Sequence, residues 1–124
     1  MEKQGPAVFL SILPPFGPEG PPLGLACVAA ALRQAGHAVA TRDYNIALYR
    51  RFETSLAHLW APAHKAAWVW ASRLPGTIAS FGGAFDEIAD EIAGSGAPIA
   101  GFSVHSDNRG VTIEVIRRLR ARRS

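Results

Sequence analysis

Two stretches decide the fold class: Ala7-Val8-Phe9-Leu10-Ser11-Ile12-Leu13, closed by Pro14-Pro15, and the segment that opens Pro21-Pro22-Leu23-Gly24-Leu25-Ala26-Cys27-Val28. The first is a short apolar run rich in strand formers and stopped by two prolines, which suits a strand buried on both faces of a parallel sheet. Phe16-Gly17-Pro18-Glu19-Gly20 then punctuates the chain, and Pro21 and Pro22 are placed to start a helix. Residues 23–35 read as that helix, apolar almost all round and so expected to be buried, with Gly36 as its C-terminal cap. Residues 38–43 alternate as a second strand. A strand, helix, strand unit with a right-handed crossover is the signature of an α/β protein.

Further along, Tyr49, Phe52, Leu56, Leu59 and Trp60 recur at helical spacing until Pro62 breaks the pattern. Residues 66–71, with Trp68 and Trp70, form another helical piece that should end near Pro75-Gly76, and Gly82-Gly83 marks a hinge. Phe85, Ile88, Ala89 and Ile92 then fall at i, i+3, i+4 and i+7, with Asp86, Glu87, Asp90 and Glu91 on an opposite, solvated face and Gly94 as the cap. Residues 99–104 are a third strand, followed by the polar loop His105-Ser106-Asp107-Asn108-Arg109-Gly110 and a last helix striped by Val111, Val115, Ile116 and Leu119. The expected architecture is a partial doubly wound parallel sheet, Rossmann-like or flavodoxin-like, of about three strands. Helices flank it, and residues 46–83 form a helical insertion between strands two and three.

With 124 residues, 48% of them hydrophobic and 19% charged, the chain is sized for one domain with a real core and lies far from the composition of disordered segments. Its single cysteine, Cys27, excludes an internal disulfide, a cysteine-built zinc site and an iron-sulfur cluster on this chain, and in an apolar helix it reads as an inert small hydrophobe. His37, His58, His64 and His105 are scattered without the i, i+4 spacing of a helical metal pair, so no metal ligands are assigned. The longest strongly apolar run, residues 23–32, contains Gly24 and falls short of the roughly 20 residues that a membrane-spanning helix needs. Lys3 before residues 7–13 faintly imitates a signal peptide, but Pro14-Pro15 follow at once without a cleavage pattern, and a cytoplasmic location is expected. Five arginines among the last eight residues exceed the net charge of +3; removing them leaves a body of −2. No aromatic residues are interleaved with them for base stacking, so the tail reads as a solvated helix face rather than a nucleic-acid surface.

Ligands of open parallel sheets bind outside the carboxyl ends of the strands, where successive connections leave for opposite faces. Two loops qualify, residues 14–20 and residues 103–108. In the first, Gly17 and Gly20 let backbone approach a ligand; the second gathers hydroxyls, an imidazole, a carboxylate and an amide, although Asp107 or Asn108 could equally serve to cap the last helix. The dinucleotide fingerprint G-x-G-x-x-G and the phosphate loop are both absent, no catalytic residue is assigned, and Trp60, Trp68 and Trp70 read as core or interface before pocket.

The P-P-L-G-L-A stretch at 21–26, the Ala35-Gly36-His37 turn, Asp43 and Asn45, and the Gly101-Phe102-Ser103-Val104 strand follow one another in an order that resembles the N-terminal cobalamin-binding domain of cobalamin-dependent radical S-adenosylmethionine proteins. The resemblance spans nearly the whole chain and implies a cobalamin-binding module, non-catalytic alone, that serves a radical S-adenosylmethionine domain in cis or in trans. It implies cofactor contacts at Pro15, Phe16, Gly17, Leu23 and Gly24 from the first half and at Ser103, Val104, His105, Ser106 and Asn108 from the second. The chain lacks the family's C-x-x-x-C-x-x-C motif, so no radical chemistry is expected on it. It also lacks the D-x-H-x-x-G loop after the first strand, so cobalamin without a histidine ligand is expected. The family domain continues through further strands, so residues 1–124 are expected to be a single domain incomplete at its C-terminus, with an exposed edge on the third strand. Two other readings compete: the N-terminal half of a two-domain glycosyltransferase, and an interaction module that binds no small molecule.

Overall fold

A computed structural model describes residues 5–123; Met1, Glu2, Lys3, Gln4 and Ser124 lie outside the described residues, and with them Lys3 of the leader-like pattern. Three strands, β1 (Val8–Ile12), β2 (Val39–Asp43) and β3 (Ile99–Ser103), form one parallel sheet in the order β2-β1-β3. Val8 stands opposite Val39 and Ile99, and Ile12 opposite Asp43 and Ser103. The fold is α/β, as the first 43 residues require. All five residues of the central strand β1 are buried, whereas β2 and β3 are the two edges of the sheet and remain partly exposed.

Side-chain alternation along β1 divides the molecule into two cores. Val8, Leu10 and Ile12 pack with Leu25 and Ala29 of α1 (Leu23–Gln34) on one face. Phe9, with Leu13 beyond the strand end, joins the larger core on the other face, built by Tyr44, Trp68, Phe81, Phe85, Ile88, Ile92, Val111 and Val115. That second face is covered by α2 (Tyr44–Arg51), α3 (Glu53–Leu56), α4 (Ala66–Val69), α5 (Leu74–Ser80), α6 (Ala84–Gly94) and α7 (Arg109–Arg123). Among the described residues no helix is long and apolar enough to cross a membrane.

The helix expected to be buried is mostly exposed. Within α1 only Leu25 and Ala29 are buried, while Leu23 is 69% and Val28 52% exposed and Cys27 is exposed. A lone helix on a three-stranded sheet meets it along one i, i+4 stripe, and the rest of its apolar surface faces outward. The helix does end at Gly36, whose φ of +94° and the bond from His37 N to Leu32 O make a Schellman turn.

Two other boundaries differ from expectation. Pro75 does not end a helix but stands in the first turn of α5, where its missing N–H leaves nothing unpaired. Gly94 is the last helical residue of α6 rather than its cap. The reversal falls at Gly96, at φ +75°, after Ser95, whose hydroxyl bonds Ile92 O and accepts from Ala97 N. Between α3 and α4 the chain takes two 3₁₀ turns, Ala57–Trp60 and Pro62–His64, so several short pieces serve the aromatic spacing that one helix would have served.

The acidic face of α6 is solvent-exposed, as its spacing implied, and its carboxylates find cationic partners there. Asp86 pairs with Arg118 and Arg122 of α7, Asp90 with Arg122, Glu87 with Arg51 and Glu91 with Arg42. Two arginines of the basic tail therefore neutralise the neighbouring helix, and each pair adds little because all remain solvated. Glu91 also accepts a short hydrogen bond from the Tyr44 hydroxyl, and the Arg42 guanidinium stands 5.7 Å over the Tyr44 ring.

Burial, and then the Glu91 carboxylate, push the Tyr44 phenol above its usual ionisation range, while Glu91 raises Arg42 further. The folded protein thus holds the Tyr44 proton more tightly than the unfolded chain does. Its contribution is complete below the ordinary tyrosine value and is lost as pH climbs past it. Between about pH 9 and about pH 11 the urea midpoint of the native chain should fall more steeply than that of Tyr44→Phe. Parallel curves would refute the assignment.

Candidate functional site

β1 and β3 end side by side, and the chain leaves them for opposite faces: after β1 it runs to α1, after β3 to α7. This divergence opens a crevice at their carboxyl ends. Here lies a cleft of about 230 Å³, lined by Pro15, Phe16 and Gly17 after β1, by His105 and Asp107 after β3, and by Leu59, Trp60, Pro62, Lys65 and Trp68 from the connection between β2 and β3.

Two buried carboxamides hold its walls. Asp43 at the end of β2 accepts from Ile46 N and so starts α2 there, which places Asn45 under the loop after β1. Asn45 Oδ1 accepts from Phe16 N at 2.9 Å and from Trp60 Nε1 at 2.7 Å, and its Nδ2 donates to Phe16 O at 3.0 Å. Asn108, fully buried, donates through Nδ2 to Leu13 O at 3.0 Å and Ser103 O at 3.1 Å and accepts from His105 N at 2.8 Å. The ends of β1 and β3 are thereby fastened to one another and to the loops that follow.

The wall from the β2–β3 connection is built of aromatic rings. Trp68, 1% exposed, donates to Leu59 O at 2.6 Å, and Trp60 packs edgewise on Tyr49, Trp68 and Phe81. Lys65 Nζ reaches Asp107 Oδ1 at 3.2 Å and straps this wall to the loop after β3. Trp70, by contrast, is 59% exposed and belongs neither to the core nor to the cleft. At the centre, the His105 ring tilts against Phe16 with centroids 5.5 Å apart, and Nδ1 accepts from Asp107 N at 3.4 Å. Nε2 is buried without a hydrogen-bonding partner among the described residues.

The residues singled out from sequence separate into three groups. Pro15, Phe16, Gly17 and His105 meet in the cleft, with Val104 (53% exposed) and Ser106 exposed beside it. Asn108 lies beneath the cleft, both amide hydrogens committed, and works as a clamp; its backbone carbonyl starts α7 by accepting from Thr112 N. Gly24 and Ser103 line a separate groove of about 420 Å³ with Leu25, Val28 and Gly101, on the face carrying α1, and Leu23 is exposed at the start of that helix. Lys65 was missed because a lone base carries no spacing signal, and Asp107 was named in the loop 103–108 but not singled out as a contact because a cap role competed for it. The described residues hold no cluster of three or more His, Cys, Asp or Glu able to bind a metal ion. His58 and His64 touch each other edge to face at 5.1 Å without a third such partner.

No family model matches the chain, and neither the curated proteins nor the solved structures include a significant match to it.

Asn108→Ala would strand two carbonyls and one N–H in the interior. It should lower the unfolding free energy by about 2–4 kcal/mol, whereas Ser106→Ala at the exposed rim should change it by less than about 0.5 kcal/mol. Urea titrations of the two variants test this, and equal midpoints would remove the clamp from the account.

Proposed function

We propose that this chain is a cobalamin-binding module, non-catalytic alone, that works beside a radical S-adenosylmethionine domain. The observation that carries the reading is the meeting of Pro15, Phe16 and Gly17 with His105 at the switch point of the sheet, four residues that the sequence resemblance nominates independently. The residues fit the group in two respects. The rim is open, with Gly17, Val104 and Ser106 exposed, and the long side chain of Lys65 in its lining is paired with Asp107. Within the cleft an orphaned polar atom, His105 Nε2, awaits a partner.

Phe16, Gly17, Val104 and Ser106 would hold the macrocycle, and the cleft, smaller than the 300–1,000 Å³ of pockets that enclose a whole ligand, would take a peripheral side arm. When bound, cobalamin supplies a transferable methyl group or an electron carrier. Phe16 offers an apolar ring at the rim, Gly17 lets backbone come close, and the Asn45 and Asn108 clamps keep these loops from adapting, which lowers the ordering cost of binding.

Hydroxocobalamin titrated into the chain should change its visible spectrum saturably, with a Kd of about 1–10 µM, and co-elute with the protein on gel filtration. An unchanged spectrum without co-elution would sink the reading. Saturable binding of a nucleotide sugar in its place would move the chain to the glycosyltransferase class.

A further inference from the structure

We infer that His105 is a ligand-binding residue of this cleft that donates a hydrogen bond through Nε2 to a carbonyl or carboxylate oxygen of the bound molecule. The naming of cobalamin as the carrier of that oxygen rests on the function proposed above. The donor itself follows from the surroundings of the ring.

Because the Asp107 backbone N–H donates to Nδ1, that nitrogen keeps its lone pair, and the proton of the neutral imidazole sits on Nε2. This N–H is buried and meets no acceptor among the described residues. Two acceptors of the lining are already engaged, Phe16 O by Asn45 Nδ2 and Asp107 Oδ1 by Lys65 Nζ and the Ser106 hydroxyl. A buried donor in this state costs free energy until an acceptor arrives, which favours ligands that bring one. The same tautomer turns the ring's lone pair toward the Asp107 backbone, so the arrangement suits recognition of an oxygen rather than ligation of a cobalt ion through Nε2.

Lys65 Nζ lies in the same lining and offers a second donor. A carboxamide or carboxylate arm, with two lone-pair-bearing oxygens or one strongly polarised one, matches this pair, and its size matches a cleft of about 230 Å³. The corrin periphery carries carboxamide arms of this kind.

The test compares the native chain with His105→Phe, which keeps a ring against Phe16 but removes the donor, and with His105→Gln, which restores an N–H; melting curves verify that each variant folds. Hydroxocobalamin should bind His105→Phe about fivefold to tenfold more weakly than the native chain and His105→Gln within about threefold of it. Long-range proton–nitrogen NMR of the ligand-free chain should report His105 protonated at Nε2 and bare at Nδ1, and propionamide should shift the Nε2 signal. A shift by propionamide without cobalamin binding would reject the cofactor and retain the acceptor site. A proton on Nδ1, equal cobalamin affinity of His105→Phe and the native chain, or the failure of both probes to bind would overturn the inference.

Discussion

Two asparagine side chains bind the carboxyl end of β1 to everything around it. Asn45 grips both backbone groups of Phe16 and the Trp60 indole, while Asn108 joins Leu13, Ser103 and His105. A parallel sheet ends abruptly at its carboxyl edge, where carbonyls and N–H groups emerge with no strand to pair them. Here the loops return over buried ground, so those groups need partners inside the protein. A carboxamide, with donors and an acceptor on one planar group, supplies several at once. The positions of the loops after β1 and β3 depend on these two residues, and the aromatic rings and the Lys65–Asp107 pair complete the walls of the cleft.

The sheet is dressed unequally, and this too has consequences. Among the described residues six helices share one face, where aromatic packing of Trp60, Trp68, Phe81 and Phe85 makes a dense core, while α1 alone covers the other. The outward side of α1 and the outer edge of β3 together present apolar surface at Leu23, Val28 and Ile99. On the crowded face the charges are organised instead: α6 lies between Arg118 and Arg122 of α7, which pair with Asp86 and Asp90, and Arg51 of α2 with Arg42 of β2, which pair with Glu87 and Glu91. A helix that looks amphipathic in isolation thus uses its exposed polar face for ion pairs, and the basic C-terminal segment is partly neutralised by it.

Local signals were legible wherever the physical cause is local. The three strands, the Schellman turn at Gly36 and the apolar stripe of α6 each follow from residues within a few positions of one another. The misplaced boundaries have equally specific reasons. Pro75 breaks a helix only if an N–H is needed there, and in a first turn it is not; Gly94 could be taken as a cap because nothing near it marks Gly96 as the residue with positive φ. The exposure of α1 was illegible because burial depends on how many layers the rest of the chain supplies.

The sequence by itself determined the α/β class, the order of strands and helices, and that the loops after β1 and β3 would meet at the edge of the sheet, since strand and helix periodicity and proline and glycine placement act over short range. Only the tertiary structure decided which loop residues face the cleft. Asn108 bonds a carbonyl 95 positions away, Asn45 one 29 positions away, and Lys65 closes on Asp107 from a separate element. Such pairings depend on how the elements pack in space, and the spacing of residues along the chain carries no record of it.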